Sequence, residues 1–272
     1  MNTDTTSLSV WGTLVQATQL YLQSWKDTLP LALITASLLF LQNFLLPPST
    51  PESFNPSTIN FDPWTLISFL VGVLVNLVIY QAMIHQLNSA SQNEVSPWYI
   101  SLKKAIKNLL SFMFTTLLFI LLYTGILLVT ITIAGLSALV LSVLLKLISP
   151  TFFSSDTLNV LGLLGVVILS IGVPIFLLKW YFYPMAFCVD NKKGKEALKY
   201  SFKLTRGWKN TFGTVLLFGV MIIISLILFL PFFFLVNNNL LYSLIVALID
   251  IIFYPWGVSC FLCWYRTLQQ RA

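Results

Sequence analysis

Residues 190–210 read DNKKGKEALKYSFKLTRGWKN, and residues 211–236 read TFGTVLLFGVMIIISLILFLPFFFLV. The first stretch holds seven Lys and Arg residues, whereas the second holds no charged residue over 26 positions. A helix of about 20 apolar residues crosses the hydrocarbon core of a bilayer, and Lys and Arg collect on the cytoplasmic side of such helices. This change in composition therefore predicts a transmembrane helix that begins at a basic cytoplasmic segment.

The overall composition excludes a water-soluble domain. Hydrophobic residues make up 57% of the 272 positions and charged residues only 9%, whereas a soluble domain carries about 25% charged residues. Because the bilayer core offers no water to backbone groups, spanning segments are helices or closed barrels. Continuous apolar runs favour helices over the alternating strands of a barrel. We therefore predict an all-α polytopic membrane protein that forms a single integral membrane domain over residues 1–272.

Six segments are long and apolar enough to cross the bilayer: 29–46, 64–87, 109–133, 158–188, 211–236 and 240–264. Thirteen of the fifteen Lys and Arg residues lie between these segments on one side: 1–28, 88–108, 189–210 and 265–272. The opposite loops hold three acidic residues and no basic one: 47–63, 149–157 and 237–239. Short loops rich in Lys and Arg stay cytoplasmic. We therefore predict six transmembrane helices with both termini inside.

One uncharged run is too long for a single crossing. The 38 residues between Lys107 and Lys146 span about 57 Å as a helix, nearly twice the membrane thickness. Either the run forms a tight hairpin, or one crossing continues into a partly buried outer segment that breaks near Gly135. A hairpin alone moves the basic segment 192–209 outside. We therefore predict one crossing with an outer extension over 134–148.

Three polar segments have amphipathic patterns, in which apolar and polar residues gather on opposite helix faces: 9–26, 97–107 and 195–209. Similar junctions follow the first and third of them: Trp25-Lys26-Asp27 and Trp208-Lys209-Asn210. Because each segment precedes two crossings, we predict three repeats of an interfacial amphipathic helix plus a transmembrane hairpin: 9–87, 96–188 and 195–264. The alternative is that Trp-Lys pairs are simply common at membrane interfaces.

The basic faces of these segments form the first candidate site. In the third segment, Gly207 is placed to end the helix. Helices of this kind lie in the headgroup plane with basic side chains toward anionic lipid. The candidate lipid-headgroup residues are the following: Lys103, Lys104, Lys107, Lys195, Lys199, Lys203, Arg206, Trp208 and Lys209. The predicted partners are therefore anionic membrane lipids, with other membrane proteins or a second copy of the chain as alternatives, and not nucleic acid.

Polar residues at membrane depth form the second candidate site. Asp250 is the eleventh residue of the last crossing, about 15 Å from its outer end and near the midplane. An ionised carboxylate is costly there, so Asp250 either serves proton coupling or ligand binding, or is protonated and hydrogen-bonded to a neighbouring helix. Asn76 lies at a similar depth and is its candidate partner. Lys179 joins this intramembrane polar site, although its stem is long enough to reach the interface.

No residue pattern predicts catalysis, a cofactor or a metal. His85, the only His, is expected to be an interfacial residue rather than a ligand, and Cys260 and Cys263 are expected to be buried thiols rather than metal ligands. None of the polar segments exceeds 28 residues, which is too short for a soluble catalytic domain. Pro184 is one of two prolines expected to kink the fourth crossing.

Two stretches carry a resemblance to known membrane proteins. In Lys179–Asp190 an apolar run leads from a basic residue to an acid, and Ala197–Gly207 has the form Ala-Leu-x-x-Ser-x-x-Leu-Thr. The segment Gln86–Lys107 and the final Tyr265-Arg266-Thr267-Leu268 add to the pattern. It resembles the YciC family of bacterial inner-membrane proteins and is similar to the membrane domain attached to some glycerophosphodiester phosphodiesterases. The resemblance implies a six-helix bacterial inner-membrane protein of undefined molecular activity, and it implies no enzyme activity because it covers only the membrane domain.

The sequence favours a non-enzymatic, multi-pass protein of the bacterial inner membrane with both termini cytoplasmic. Its expected role in the envelope depends on lipid headgroups or membrane partners, because the basic faces are the most distinctive polar surface. The alternative is a transporter or pore for a small solute or lipid, which uses a midplane site around Asp250.

Overall fold

The computed structural model of this chain describes residues 9–45, 63–94, 96–148, 177–235 and 239–272. Every regular element in these ranges is helical, as predicted. The elements are α1 Val10–Leu45, α2 Pro63–Ser91, α3 Trp98–Ile148, a 3-10 turn at Leu178–Trp180, α4 Tyr183–Cys188, α5 Lys195–Leu204, α6 Trp208–Leu235 and α7 Asn239–Arg271.

Four helices in the described part of the chain are long and apolar enough to cross a membrane: Leu66–Ser91, Trp98–Ser137, Trp208–Phe232 and Leu241–Arg271. They overlap the second, third, fifth and sixth predicted crossings. The first predicted crossing, 29–46, extends past the residues whose side chains are described. Most of the fourth, 158–188, and the loop 149–157 also lie outside the described residues.

The first helix packs lengthwise on the last through small and hydroxyl-bearing side chains. Ala17, Ser24, Thr28, Ala32 and Thr35 are each at most 4% exposed. The two helices make the most extensive contact between any two described elements. Small side chains allow two helix backbones to approach closely in a membrane, and each of these hydroxyls donates to a carbonyl of its own helix. Leu14, Leu20 and Leu31 are buried on the same face, while other large apolar side chains of α1 lie on its exposed side: Trp11, Val15, Leu22 and Trp25.

This helix is continuous, which corrects the predicted division into an in-plane helix at 9–26 and a separate crossing. It begins where the Ser9 hydroxyl oxygen accepts the Gly12 N–H at 3.1 Å, a normal N-terminal cap. It then passes through Pro30 without ending. A helix in the headgroup plane has water on one side and lipid on the other, whereas α1 buries one face against protein.

The register between α1 and α7 also separates Lys26 from the other basic residues. The Trp256 indole N–H donates to the Thr18 hydroxyl at 3.0 Å, and Val10 and Arg271 line one surface groove. Because the earlier residue of α1 pairs with the later residue of α7, the two helices run antiparallel. Lys26 is about 24 Å along α1 from Val10. It therefore does not adjoin the basic end of α7, although both belong to segments that were predicted to lie on one side.

The third helix runs without interruption for 51 residues, about 76 Å. The predicted break near Gly135 is therefore wrong, and so is the alternative hairpin. A single Gly costs a helix only about 1 kcal/mol, and in lipid a broken backbone has no water to satisfy it. Leu136 and Val140 in the outer extension are 60% and 54% exposed, so these two residues are not buried as the outer segment was expected to be. The predicted in-plane helix 97–107 is simply the start of α3.

The chain between Leu177 and Asn210 is instead divided into short elements. The end of the predicted fourth crossing is a 3-10 turn followed by α4, and Pro184, which has no N–H, lies in the first turn of α4. Gly207 has φ of 101° and separates α5 from α6, as its position predicted. Only the third amphipathic segment thus forms a helix of its own, and the predicted interfacial helix is wrong for the first two repeats.

The buried residues concentrate at one end of the bundle, which we call the packed end. It comprises the C-terminal halves of α2 and α7, the first turns of α3 and α6, and the short helices α4 and α5. Its largest fully buried side chains include the following: Trp264, Tyr265, Phe112, Phe182 and Met185. The other halves of α2, α3 and α6 expose their Leu, Ile and Phe side chains in the described part of the chain.

A close contact at the packed end generates the first prediction. A Cβ atom added at Gly213 would lie 2.6 Å from Cζ2 of Trp264, whereas a Cβ atom added at Gly219 would have no atom within 4 Å. Because Trp264 is buried and cannot easily move, Gly213→Ala is expected to destabilise the protein by about 1–3 kcal/mol. Gly219→Ala, on the same helix, is expected to be neutral or stabilising. Thermal unfolding of both variants in one detergent checks this, and equal midpoints contradict the contact.

Candidate functional site

Hydrogen bonds between distant segments form a polar layer across the packed end. Its members are Gln86, Asn88, Asp190, Ser201, Thr205, Tyr265, Arg266 and Gln269. These residues come from α2, α5, α7 and the turn that follows α4. The layer therefore joins the stretches that were singled out separately in the sequence.

Two hydroxyls of α5 hold the broken segment that precedes it. The Ser201 hydroxyl accepts the Phe182 N–H at 3.1 Å and donates to the Lys179 carbonyl at 2.9 Å. The Thr205 hydroxyl lies 3.0 Å from the same carbonyl, as a second donor. Ser201 and Thr205 are one helical turn apart and both are buried. They satisfy backbone groups that a break in a helix leaves without their usual partners.

The carboxylate of Asp190 links the turn after α4 to the last helix. It accepts a hydrogen bond from the Tyr265 hydroxyl and another from the Gln269 amide at 2.8 Å. The next residue, Asn191, has φ of 53°, a conformation that Asn tolerates better than most residues. Hydrogen bonds to an ionised acceptor are stronger than those between neutral groups. Asp190 therefore fixes the position of this turn against α7.

The start of α3 is tied to the end of α2 in a similar way. The Gln86 amide donates to the Ser96 carbonyl at 2.5 Å and accepts from the Ser101 hydroxyl at 2.7 Å. Two residues further on, the Asn88 side-chain oxygen accepts from Arg266 of α7 at 2.7 Å. These bonds fix the connection between two apolar helices, where the backbone turns.

The candidate headgroup residues lie outside this layer and are exposed on α3, α5 and the start of α6: Lys103, Lys104, Lys107, Lys195, Lys199, Lys203, Arg206, Trp208 and Lys209. On α5 the apolar and basic side chains lie on opposite faces, as the amphipathic pattern predicted, and the lysines are exposed. Its apolar face, however, packs on protein rather than lipid, since Ala197, Leu198 and Leu204 are buried in the core. The helix therefore exposes its basic face, but its apolar face is not embedded in lipid.

A groove of about 620 Å³ opens between the first turn of α6 and the last turn of α7. It is lined by two cations, three aromatic rings and smaller residues: Lys209, Arg271, Trp208, Phe212, Trp264, Val10, Asn210 and Gly213. The Trp264 indole N–H donates to the Thr214 hydroxyl at 3.0 Å, which fixes this ring against the Gly213 backbone. The Arg271 guanidinium lies 5.3 Å from the centre of the same ring. Sequence reasoning missed Trp264 and Arg271, because nothing in the sequence brings α6 and α7 together.

The residues of the second candidate site do not converge. The Tyr80 ring of α2 lies 6.4 Å from the Tyr254 ring of α7. Asn76 is one helical turn before Tyr80, and Asp250 is one helical turn before Tyr254. Asn76 and Asp250 therefore lie at the same level on neighbouring helices. Both are only partly buried, and no hydrogen bond joins them within the described ranges. Lys179 lies apart from them, with its ammonium 5.4 Å from the Phe202 ring of α5.

His85 is not the interfacial residue that its sequence position indicated. It is 5% exposed and lies one turn beyond Gln81, which is fully buried on the same face of α2. In the described part of the chain, Gln81 Oε1 and His85 Nε2 have no hydrogen-bond partner. Buried polar atoms of this kind are costly. The inner face of α2 is thus more polar than its apolar composition predicted.

Comparison of the chain with protein-family models, with curated proteins and with solved structures found no match. The likeness to the YciC family therefore stays a prediction from the residues quoted for it. Those residues have a clear local role, because Lys179, Asp190, Ser201, Thr205 and Tyr265 all belong to the bonds described above. The signal for Ser201 and Thr205 was present in the sequence, since both hydroxyls lie on the apolar face of α5.

The bonds of Ser201 generate the second prediction. Ser201→Ala leaves the buried Phe182 N–H without its acceptor, which is expected to cost about 1–3 kcal/mol of stability. Thr124→Ala is the matched control, because the Thr124 hydroxyl is exposed and bonds to carbonyls of its own helix. Thermal unfolding in detergent measures both, and a Ser201→Ala midpoint as high as that of the control rules out the proposed role.

Proposed function

We propose that this chain is a multi-pass protein of the bacterial inner membrane, with its basic end in the cytosol, that binds anionic lipid headgroups and does not catalyse a reaction. The observation that carries the proposal is the exposure of nine predicted headgroup residues around one packed end. Eight of the nine are Lys or Arg. Anionic lipids attract such residues by about 1 kcal/mol for each Lys or Arg near the surface.

The separation of hydrogen-bonded polar groups from exposed basic side chains at the packed end supports binding rather than catalysis. The acid and hydroxyls of the polar layer are engaged in bonds that hold helices together, as Asp190 and Ser201 illustrate. The eight candidate headgroup Lys and Arg side chains are exposed outside that layer. An exposed face with Lys195, Lys199 and Lys203 one turn apart fits a flat anionic surface better than a single small substrate.

The basic face of α5, together with Arg206 just after the helix, generates the third prediction. Replacing Lys195, Lys199, Lys203 and Arg206 together with Gln is expected to lower the co-purified anionic lipid at least about tenfold, because four attractive charges are lost. Mass spectrometry of the phosphatidylglycerol and phosphatidylethanolamine retained by the purified protein measures the effect. A variant with Lys and Arg exchanged at the same positions keeps the charge and is expected to retain wild-type lipid. Unchanged lipid in the Gln variant contradicts the proposal.

The proposed orientation generates the fourth prediction. Reporters fused after residue 55 or residue 238 are expected to be active only outside the cytosol, whereas reporters after residue 94 or residue 272 are expected to be active only inside it. Alkaline phosphatase and a fluorescent protein, which are active on opposite sides, measure the two cases. Cytosolic activity of a fusion at residue 55 or 238 excludes the threading.

A further inference from the structure

We infer that the groove between α6 and α7 binds one anionic phospholipid, with its phosphate beside Lys209 and Arg271. The inference rests on the proposed function and names a defined site within it. The basic face of α5 attracts many headgroups at once, whereas a groove of this size encloses the headgroup of a single molecule. The two modes of binding are separable by experiment.

The charges of the groove favour a phosphate group. Lys209 and Arg271 line it from opposite helices, and among its described lining residues none is acidic. The first turn of α6 also faces it, and a helix N-terminus adds positive potential. Arg and Lys form charge-assisted hydrogen bonds to phosphate oxygens.

Aromatic rings form the walls of the groove and hold its two cations in a defined arrangement. On one side, the Trp208 and Phe212 rings stack with centres 6.1 Å apart, and Trp208 is 80% exposed. On the other side, the buried Trp264 ring supports the Arg271 guanidinium from below. Aromatic rings of this amphipathic kind belong at the headgroup level of a membrane. The groove therefore has a preformed aromatic floor beside its two cations.

The surface that continues from the groove identifies the ligand as a lipid rather than a free phosphate. Large apolar side chains of α6 are exposed along one face, at spacings of three, four and seven residues: Trp208, Phe212, Leu216, Ile223, Ile227 and Leu230. Such spacings place residues in a single stripe on a helix. The stripe runs from the groove along α6 for about 33 Å. Acyl chains of a bound lipid have a continuous apolar surface to follow.

Native mass spectrometry of the full chain, released from detergent in the presence of phosphatidylglycerol, tests the inference. The wild-type protein is expected to retain one phosphatidylglycerol molecule at collision energies that remove the others. Lys209→Gln with Arg271→Gln is expected to weaken this retention about a hundredfold, roughly tenfold for each cation lost. Lys209→Glu alone, at an exposed position, is expected to abolish it without affecting folding. Wild-type retention in both variants overturns the inference.

Two comparisons separate the site from the general basic surface and from a simple anion site. The α5 variant with Lys195, Lys199 and Lys203 changed to Gln is expected to keep the single retained lipid while losing the general enrichment. If the α5 variant loses nothing and the groove variants lose their lipid, the surface proposal fails and the groove stands; the reverse pattern overturns the groove. Inorganic phosphate in excess is expected not to displace the lipid, and displacement excludes a lipid site.

Discussion

Every backbone group at the packed end needs a partner, because the chain is interrupted there beside four long apolar helices. Between Leu177 and Asn210 the backbone forms a 3-10 turn, two short helices and a turn at Gly207. Each interruption frees N–H and C=O groups that lipid cannot satisfy. Ser201, Thr205 and Asn210 supply these partners from their side chains, so the whole segment depends on a few hydroxyl and amide groups.

This constraint explains why the polar residues of the chain divide into two groups. Uncharged side chains, the carboxylate of Asp190 and the guanidinium of Arg266 turn inward, where their hydrogen bonds join α2, α5, α7 and the turn that follows α4. Lys and Arg side chains of α3 and α5 turn outward, since an unpaired buried cation is far more costly than an exposed one. The same end of the molecule is therefore rigid inside and strongly basic outside. That arrangement is suited to holding anionic headgroups against a fixed surface.

The contrast between α1 and α5 shows how far amphipathic pattern predicts structure. For α5 the amphipathic pattern correctly predicted two faces, one with Ala197 and Leu204 buried and the other with Lys199 exposed. For α1 the pattern predicted an in-plane helix, whereas one face of α1, which includes Ala17 and Ser24, is buried against protein. Between membrane helices small residues allow close approach, while large apolar residues are equally stable in lipid. Hydrophobicity is thus a poor guide to which face of a membrane helix contacts protein.

The sequence by itself determined the helical class, the positions of four long apolar helices, the break after α5 at Gly207 and the exposure of the candidate headgroup residues. Each follows from local composition or from a single backbone preference. It also contained the Ser and Thr of the Ala-Leu-x-x-Ser-x-x-Leu-Thr pattern, without showing what their hydroxyls bind. Only the tertiary structure decided that α1 lies along α7, that Asp190 meets Tyr265, and that Trp264 and Arg271 complete a groove with Lys209. These are contacts between residues far apart in the chain, and they are set by the close fit of helix surfaces, which local patterns do not encode.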